Sequence, residues 1–225
     1  MAEDVKALFY DVFGTLMDWR TSIARESRAV LEPLGHTLDW LAFADAWRGQ
    51  YQPSMEKVRS GGKAFVKLDI LHRMNLETVM PQFGIAPLPE ETMHHLTMAW
   101  HRLDAWPDVS TGQRRLRKKF YLAPCSNGNI ALMADLARRN DIWWDAILGS
   151  EIAGDFKPKL NLRPEQCMMV AAHSRDLKAA AALGLRTGHI ARVNEYGPNT
   201  GEPGPTVPVD YAARDLQHLA DQLGC

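Results

Sequence analysis

Cysteine is scarce in this chain of 225 residues: Cys125, Cys167 and Cys225 are odd in number, far apart and without a CxxC pair. That argues against a disulfide framework and against a zinc site, and the three are read as reduced, structural thiols. Long apolar runs are also missing. Nothing approaches the roughly 18 residues that a membrane helix needs, and the acidic start Met1-Ala2-Glu3-Asp4 is unlike a signal peptide, so no membrane is expected and the expected location is cytoplasmic. Charge of one sign is lacking too. Lys and Arg number 26 against 27 Asp and Glu, a formal net charge of -1, which gives no broad field for nucleic acid. The basic run Arg114 to Lys119 has no aromatic platform beside it and reads as a solvated helix face. His94 and His95 are adjacent, hence point apart on a helix, and make a poor metal pair. What remains, 46 % hydrophobic and 24 % charged, describes one good core plus an inserted smaller unit. Its expected partner is a small molecule, with a homodimer left open.

Short apolar runs recur along the chain: Lys6 to Val12, Phe120 to Pro124, Ala146 to Leu148, Cys167 to Ala172 and, more weakly, Leu185 to Ala191. Helical periodicity separates most of them, beginning with a helix from about Thr21 to Gly35. Apolar runs without alternation mark strands covered on both faces, and their alternation with helices marks an α/β fold, a doubly wound parallel sheet of Rossmann-like type. Between Leu38 and Trp106 the pattern changes to helix after helix, with Trp40, Trp47, Phe65, Leu68, Leu71, Leu96 and Trp100 at helical spacings. This predicts a core domain of residues 1–20 and 107–225 and an inserted helical cap of residues 21–106, whose Met and Trp side chains form its own core. Asn194 to Pro208 is a loop by composition, and Ala212 to Leu223 is predicted to close the chain as a helix. One connection is short: Ser150 to Gln166 must join two parallel strands, yet Pro158 and Pro164 interrupt it, where a crossover ordinarily takes a dozen or more residues including a helix.

Polar residues follow the predicted strands. Asp11-Val12-Phe13-Gly14-Thr15 follows the first, Ser126-Asn127-Gly128-Asn129 the second, Lys157-Pro158 the third, and His173-Ser174-Arg175-Asp176 the fourth. In a doubly wound sheet these ends share the ligand-binding edge. Taken alone, Asp11 would equally suit a helix cap; the four together point to a site.

These motifs resemble the haloacid dehalogenase superfamily, whose ordered signature is a nucleophilic Asp, a Ser or Thr, a Lys and a final acid. Within it the chain is similar to the type II, or L-2-haloacid, dehalogenases, through Tyr10 to Trp19, Trp47-Arg48, Ser126 to Asn129, Phe156-Lys157-Pro158 and Val170 to Asp176. The resemblance covers nearly the whole chain. It implies a hydrolase acting on carbon–halide bonds: the Asp11 carboxylate displaces halide from C2 of a small 2-haloacid, an L-2-haloacid or a haloacetate, and water hydrolyses the aspartyl ester to a 2-hydroxy acid. Thr15 and Ser126 orient Asp11, Lys157 keeps it ionised, Arg48 holds substrate carboxylate or departing halide, and Val12, Phe13 and Asn127 line the pocket. Asp176 is the expected base for water.

Two departures from the family pattern stand out. His173 replaces an Asn common in the type II enzymes, so that either a titrating imidazole joins Asp176, or even Asp18, in activating water, or the ring only hydrogen-bonds. After Lys157-Pro158 the family continues with a helix carrying a pocket Tyr, and that Tyr is absent here. Superfamily phosphatases place a second Asp two residues after the nucleophile, where this chain has Phe13. With Asp11 and Asp176 alone beside a lysine, a magnesium site would be thin, so no metal and no cofactor is expected. The alternatives are a magnesium-dependent small-molecule phosphatase of the same superfamily and a catalytically inactive relative that binds a small acid.

Overall fold

The computed structural model describes residues 4–60, 66–149 and 162–225. Strands β1 (Ala7–Tyr10), β4 (Tyr121–Ser126), β5 (Leu148–Gly149), β6 (Cys167–Ala171), β7 (Arg186–Ile190) and β8 (Tyr211–Ala213) form a six-stranded sheet in the order β5-β4-β1-β6-β7-β8. Every pairing in it is parallel, with Leu8 opposite Leu122 on one side and Met168 on the other. The chain starts at the centre, builds outward through β4 and β5, then returns to β6 on the opposite flank of β1. That reversal leaves a crevice at the carboxyl ends of β1, β4 and β6.

The central strands are apolar throughout because both faces are covered. Leu8, Tyr10, Leu122, Met168 and Val170 belong to one buried cluster with Leu132, Met133, Leu216 and Leu219, whereas Ala7, Phe9, Ala123, Cys167, Met169 and Ala171 belong to a second with Leu177 and Ala180. Successive residues therefore alternate faces. Helices α6 (Val109–Leu116), α7 (Ile130–Asn140) and α9 (Leu216–Gln222) cover the first face, and α8 (Ser174–Ala182) covers the second.

A two-stranded antiparallel ribbon, β2 (Met17–Asp18) with β3 (Asp104–Ala105), carries the chain out of the sheet layer and back. Between them lie α1 (Trp19–Leu31), α2 (Trp40–Gly49), α3 (Tyr51–Ser60), α4 (Leu68–Val79) and α5 (Glu90–Thr97). Asp18 caps α1 by accepting the Thr21 N–H at 3.2 Å, so this helix starts two residues earlier than its periodicity suggests. The tryptophans of this layer are core: Trp47 and Trp100 are buried and meet edge to face with centroids 5.7 Å apart. His72 stacks on Trp100 at 4.3 Å, and burial pushes its pKa down to about 3, so the ring is neutral. Phe65 lies outside the described residues.

The carboxyl-terminal segment differs from its sequence pattern. Tyr211–Ala213 is the edge strand β8, and the closing helix begins only at Leu216, capped by Asp215, which accepts the His218 N–H at 2.7 Å. Three residues beside β7 gain backbone partners as a strand, which local helical propensity does not offset. The basic run on and after α6 is partly tied down: Arg114 pairs with Asp141, Arg115 lies 2.5 Å from Asp221, and Arg117 sits 3.8 Å over the Trp143 ring. Among the described residues no helix is long and apolar enough to cross a membrane.

Candidate active site

Asp11 leaves the end of β1 with its backbone N–H donated to the Val170 carbonyl at 3.0 Å, which aims the side chain beyond the sheet edge. Its Oδ2 accepts the Thr15 hydroxyl at 2.6 Å, and Thr15 Oγ1 in turn accepts the Ala172 N–H at 2.8 Å. Thr15 thus links the loop after β1 to the end of β6. His173 Nδ1 lies 3.1 Å from the same Oδ2 and 3.5 Å from Asp176 Oδ2. Among the described residues, hydrogen bonds reach the Asp11 carboxylate through Oδ2 alone.

The other face of the His173 ring meets a residue that sequence reading did not select. Glu195, in the loop after β7, places Oε2 and Oε1 at 2.9 and 3.1 Å from Nε2. Burial opposes charge on this ring, but hydrogen bonds to Asp11, Asp176 and Glu195 outweigh it and raise its pKa far above the ordinary histidine value. Of the two readings of His173, the surroundings favour the hydrogen-bonding ring over one that titrates near pH 6, an expectation that rested on an unclamped histidine. Asp18 also drops out as a partner in activating water, since it caps α1.

Arg48, on α2, lies over three rings: Tyr51 at 4.2 Å, Trp19 at 5.6 Å and Phe13 at 5.7 Å. Its Nη1 is buried without a hydrogen-bond partner. A buried N–H on a cation costs free energy unless a ligand answers it. Trp19, Arg48, Tyr51, Arg175 and Tyr196 line a cavity of about 340 Å³, a volume suited to a small molecule. Phe13 packs against Trp100 at 5.9 Å and is 3 % exposed, an apolar wall two residues from Asp11. Val12 is fully buried.

At the end of β4, Asn127 donates to the Tyr51 hydroxyl at 2.9 Å, joining that edge to the helical layer. The Ser126 hydroxyl accepts the Gly128 N–H at 3.2 Å, a local contact rather than one to Asp11. Burial, with the negative charges of Asp11 and Asp176, pushes the Cys125 thiol up to about 11, which suits an unreactive cysteine. Lys157, with the short crossover that carries it, lies outside the described residues.

Asp11, His173 and Asp176 bring ligand atoms within 4.8 Å of one another. The set fits magnesium poorly. That ion takes oxygen ligands, the third donor is an imidazole nitrogen, and the Asp11 and Asp176 carboxylates beside it favour a proton on that nitrogen.

No protein-family model matches the chain. Solved structures do: a defluorinating L-2-haloacid dehalogenase is 40 % identical, over 98 % of this chain and 96 % of its own, with a TM-score of 0.93. Another L-2-haloacid dehalogenase is 42 % identical over 98 % of this chain and 99 % of its own, with a TM-score of 0.91. The chain belongs to the type II, L-2-haloacid dehalogenase branch of the haloacid dehalogenase superfamily. More distant curated relatives of this dehalogenase branch include (S)-2-haloacid dehalogenase 1 of Pseudomonas sp. (strain CBS-3), 24 % identical over 206 residues, 86 % of this chain and 87 % of the relative. A phosphoglycolate phosphatase of Aliivibrio fischeri matches at 24 % over 233 residues, 97 % of this chain and 96 % of the relative. Chains with this fold thus carry more than one chemistry.

Sequence reading missed Glu195, Tyr51, Trp19 and Arg192. Arg192 is 7 % exposed, grips Asp108 with two bonds of 2.8 Å and donates Nε–H to the Thr15 carbonyl at 2.8 Å. One signal was available for both loop residues: they follow a strand of a doubly wound sheet, and such ends face the ligand.

Proposed function

We propose that this hydrolase of carbon–halide bonds acts on small L-2-haloacids or haloacetates, without a metal, through an ester on Asp11. The observation that carries the reading is Phe13, sealed against Trp100 beside the nucleophile. A phosphate monoester expels an alkoxide, which needs a proton from a neighbouring acid. Chloride and bromide are anions of strong acids and leave unprotonated, so an apolar wall suffices. Arg48 supports the same reading, because its unanswered N–H and aromatic surround suit a carboxylate or a departing halide.

In the first step Asp11 attacks C2, the carbon–halogen bond breaks, the halide takes the electron pair and C2 inverts. Water then attacks the ester with Asp176 as base. Thr15 holds Asp11 in place, Lys157 takes the part that the family resemblance gives it, keeping the nucleophile ionised, and Ser126, Asn127 and Val12 shape the pocket from the sheet side. Residues 21–106 act as the cap over a core of residues 1–20 and 107–225.

The test is halide release from chloroacetate and from both 2-chloropropionate enantiomers, with and without EDTA, beside a phosphate-ester control. Release from the L enantiomer that survives EDTA is the expected result. Phosphate release that requires added magnesium, with no halide released, would establish the phosphatase alternative.

A further inference from the structure

Glu195 takes none of these roles, yet it is one of the most enclosed acids in the molecule, 2 % exposed. Both its oxygens face His173 Nε2, and Oε1 also accepts the Trp19 indole N–H at 3.3 Å. Gly14, at φ 90°, makes room for it: a Cβ there would collide with the Glu195 carboxylate. A carboxylate this deep requires a cation, and the cationic group it meets is the His173 ring. With Nε2–H given to Glu195, the opposite nitrogen faces Asp11 Oδ2 and Asp176 Oδ2. A bare lone pair there would oppose both, so Nδ1 carries a proton as well. Asp11 Oδ2 then receives two donors, Thr15 Oγ1–H and His173 Nδ1–H, while Oδ1 is left to react.

We propose that Glu195 is a positioning residue for the second half of the reaction, fixing His173 as a doubly protonated donor so that Thr15 and His173 form the oxyanion hole for ester hydrolysis. The inference rests on the reading of Asp11 as nucleophile. Oδ1 bonds to C2 as halide departs, and Oδ2 becomes the ester carbonyl oxygen. Water then gives a proton to Asp176 and bonds to Cγ, and the carbonyl electron pair moves onto Oδ2 between its two donors. Collapse of this intermediate restores the carbonyl and breaks the Cγ–Oδ1 bond, the departing alkoxide takes the proton from Asp176, and the carboxylic acid left at Asp11 loses the remaining water-derived proton to solvent, which restores the carboxylate. His173 ends the cycle protonated, as it began, and is not the base.

The groups within electrostatic reach of the ring are Asp11 from β1, Asp176 from α8, Glu195 and Tyr196 from the loop after β7, and His189 on β7. Ring nitrogen NMR of the full-length, 15N-histidine-labelled protein from pH 6 to 10 tests the clamp directly, with His173→Asn assigning the signals. Wild type should keep both ring protons across this range, Glu195→Gln should lose the Nδ1 proton within it, and Glu195→Asp should restore it. Rapid-quench and intact-mass measurements with L-2-chloropropionate test the chemistry. Above the pH at which its ring deprotonates, Glu195→Gln should release halide in a stoichiometric burst and accumulate the ester adduct, with hydrolysis slowed by about 10²-fold or more. In a His173→Asn background the same Glu195→Gln change should no longer harm, and should relieve an unpaired buried acid.

A neutral His173 at pH 7.5 in wild type would overturn the inference, as would a Glu195→Gln variant that slows alkylation and hydrolysis alike with unmoved ring signals. The wild-type spectrum decides the state of the ring even if a variant fails to fold. Absence of halide release from wild type on every 2-haloacid would instead overturn the dehalogenase reading, with the spectrum still reporting on the clamp.

Discussion

The end of β6 and the loop after β7 both bring an acid to His173, by different means. Asp176 comes on the first turn of α8, three residues beyond the ring, so helix geometry alone sets them near each other. Glu195 comes from a stretch rich in Gly and Pro, and it is held by distant partners: Trp19 and the clearance at Gly14. Arg192, at the root of the same loop, ties it to Asp108 and Thr15. Local geometry makes the first acid readable from spacing, whereas contacts far apart in sequence make the second one reliable in space without leaving a pattern.

The comparison can be broken at its strongest point first. Asp11→Asn should reduce halide release by about 10⁴-fold or more, since an amide is a far weaker nucleophile. A smaller loss in a steady-state halide assay would move the chemistry away from the end of β1.

Arg192→Ala tests whether the β7 loop depends on long-range anchoring. It leaves Asp108 enclosed without its cation, a loss of about 3 to 5 kcal/mol, which for a chain of this size lowers Tm by roughly 6 to 20 °C. The pH dependence has a definite sign. Burial opposes ionisation of Asp108, but the Arg192 bonds prevail and hold its carboxyl below the ordinary value of 3.8. The pair therefore stabilises the fold above that pH, and the contribution is lost as pH falls through the depressed folded value. Thermal melts from pH 7 to 2 should show the wild-type advantage over the variant shrinking only in that acid range.

Arg48→Ala probes the pocket from the helical layer. Loss of a desolvated charge contact costs about 2 to 5 kcal/mol, or roughly 30-fold to several thousand-fold in kcat/KM for the carboxylate substrate. Unchanged kinetics would separate Arg48 from the site.

The smallest effect is expected at Glu202. It shares a loop with Glu195 but accepts the Ser174 N–H and hydroxyl, at 3.1 and 2.5 Å, rather than touching the His173 ring. Glu202→Gln should change stability by about 0.5 to 1.5 kcal/mol and leave the ratio of ester hydrolysis to alkylation where it was. If it instead trapped ester as Glu195→Gln is expected to, the distinction between the two acids would collapse.

Much of the molecule was legible because its signals are local. Leu8 to Tyr10 and Met168 to Val170 read as buried strands since no polar residue interrupts them, and Asp11, Thr15, His173 and Asp176 read as one edge since parallel strands end together. The strand at Tyr211–Ala213 was not legible: its residues suit a helix, and only the open edge of β7 makes them a strand. Trp47 and Trp100 were readable as core, but their edge-to-face contact and the packing of Phe13 and His72 on Trp100 were not, because such ring contacts are a property of assembled helices.

The sequence by itself determined the central strands and the helices between most of them, and it set Asp11 at a strand end with the apolar Phe13 two places after it, because each depends on neighbours within a few positions along the chain. Tertiary structure alone decided the surroundings of His173. A histidine's proton depends on what stands within about 4 Å of its two nitrogens, and here those places are filled from β1, from α8 and from a loop 22 residues away in the chain. Folding sets three carboxylates around a side chain that reads in the sequence as a pH-sensitive base, and acids this close favour the protonated form of the ring.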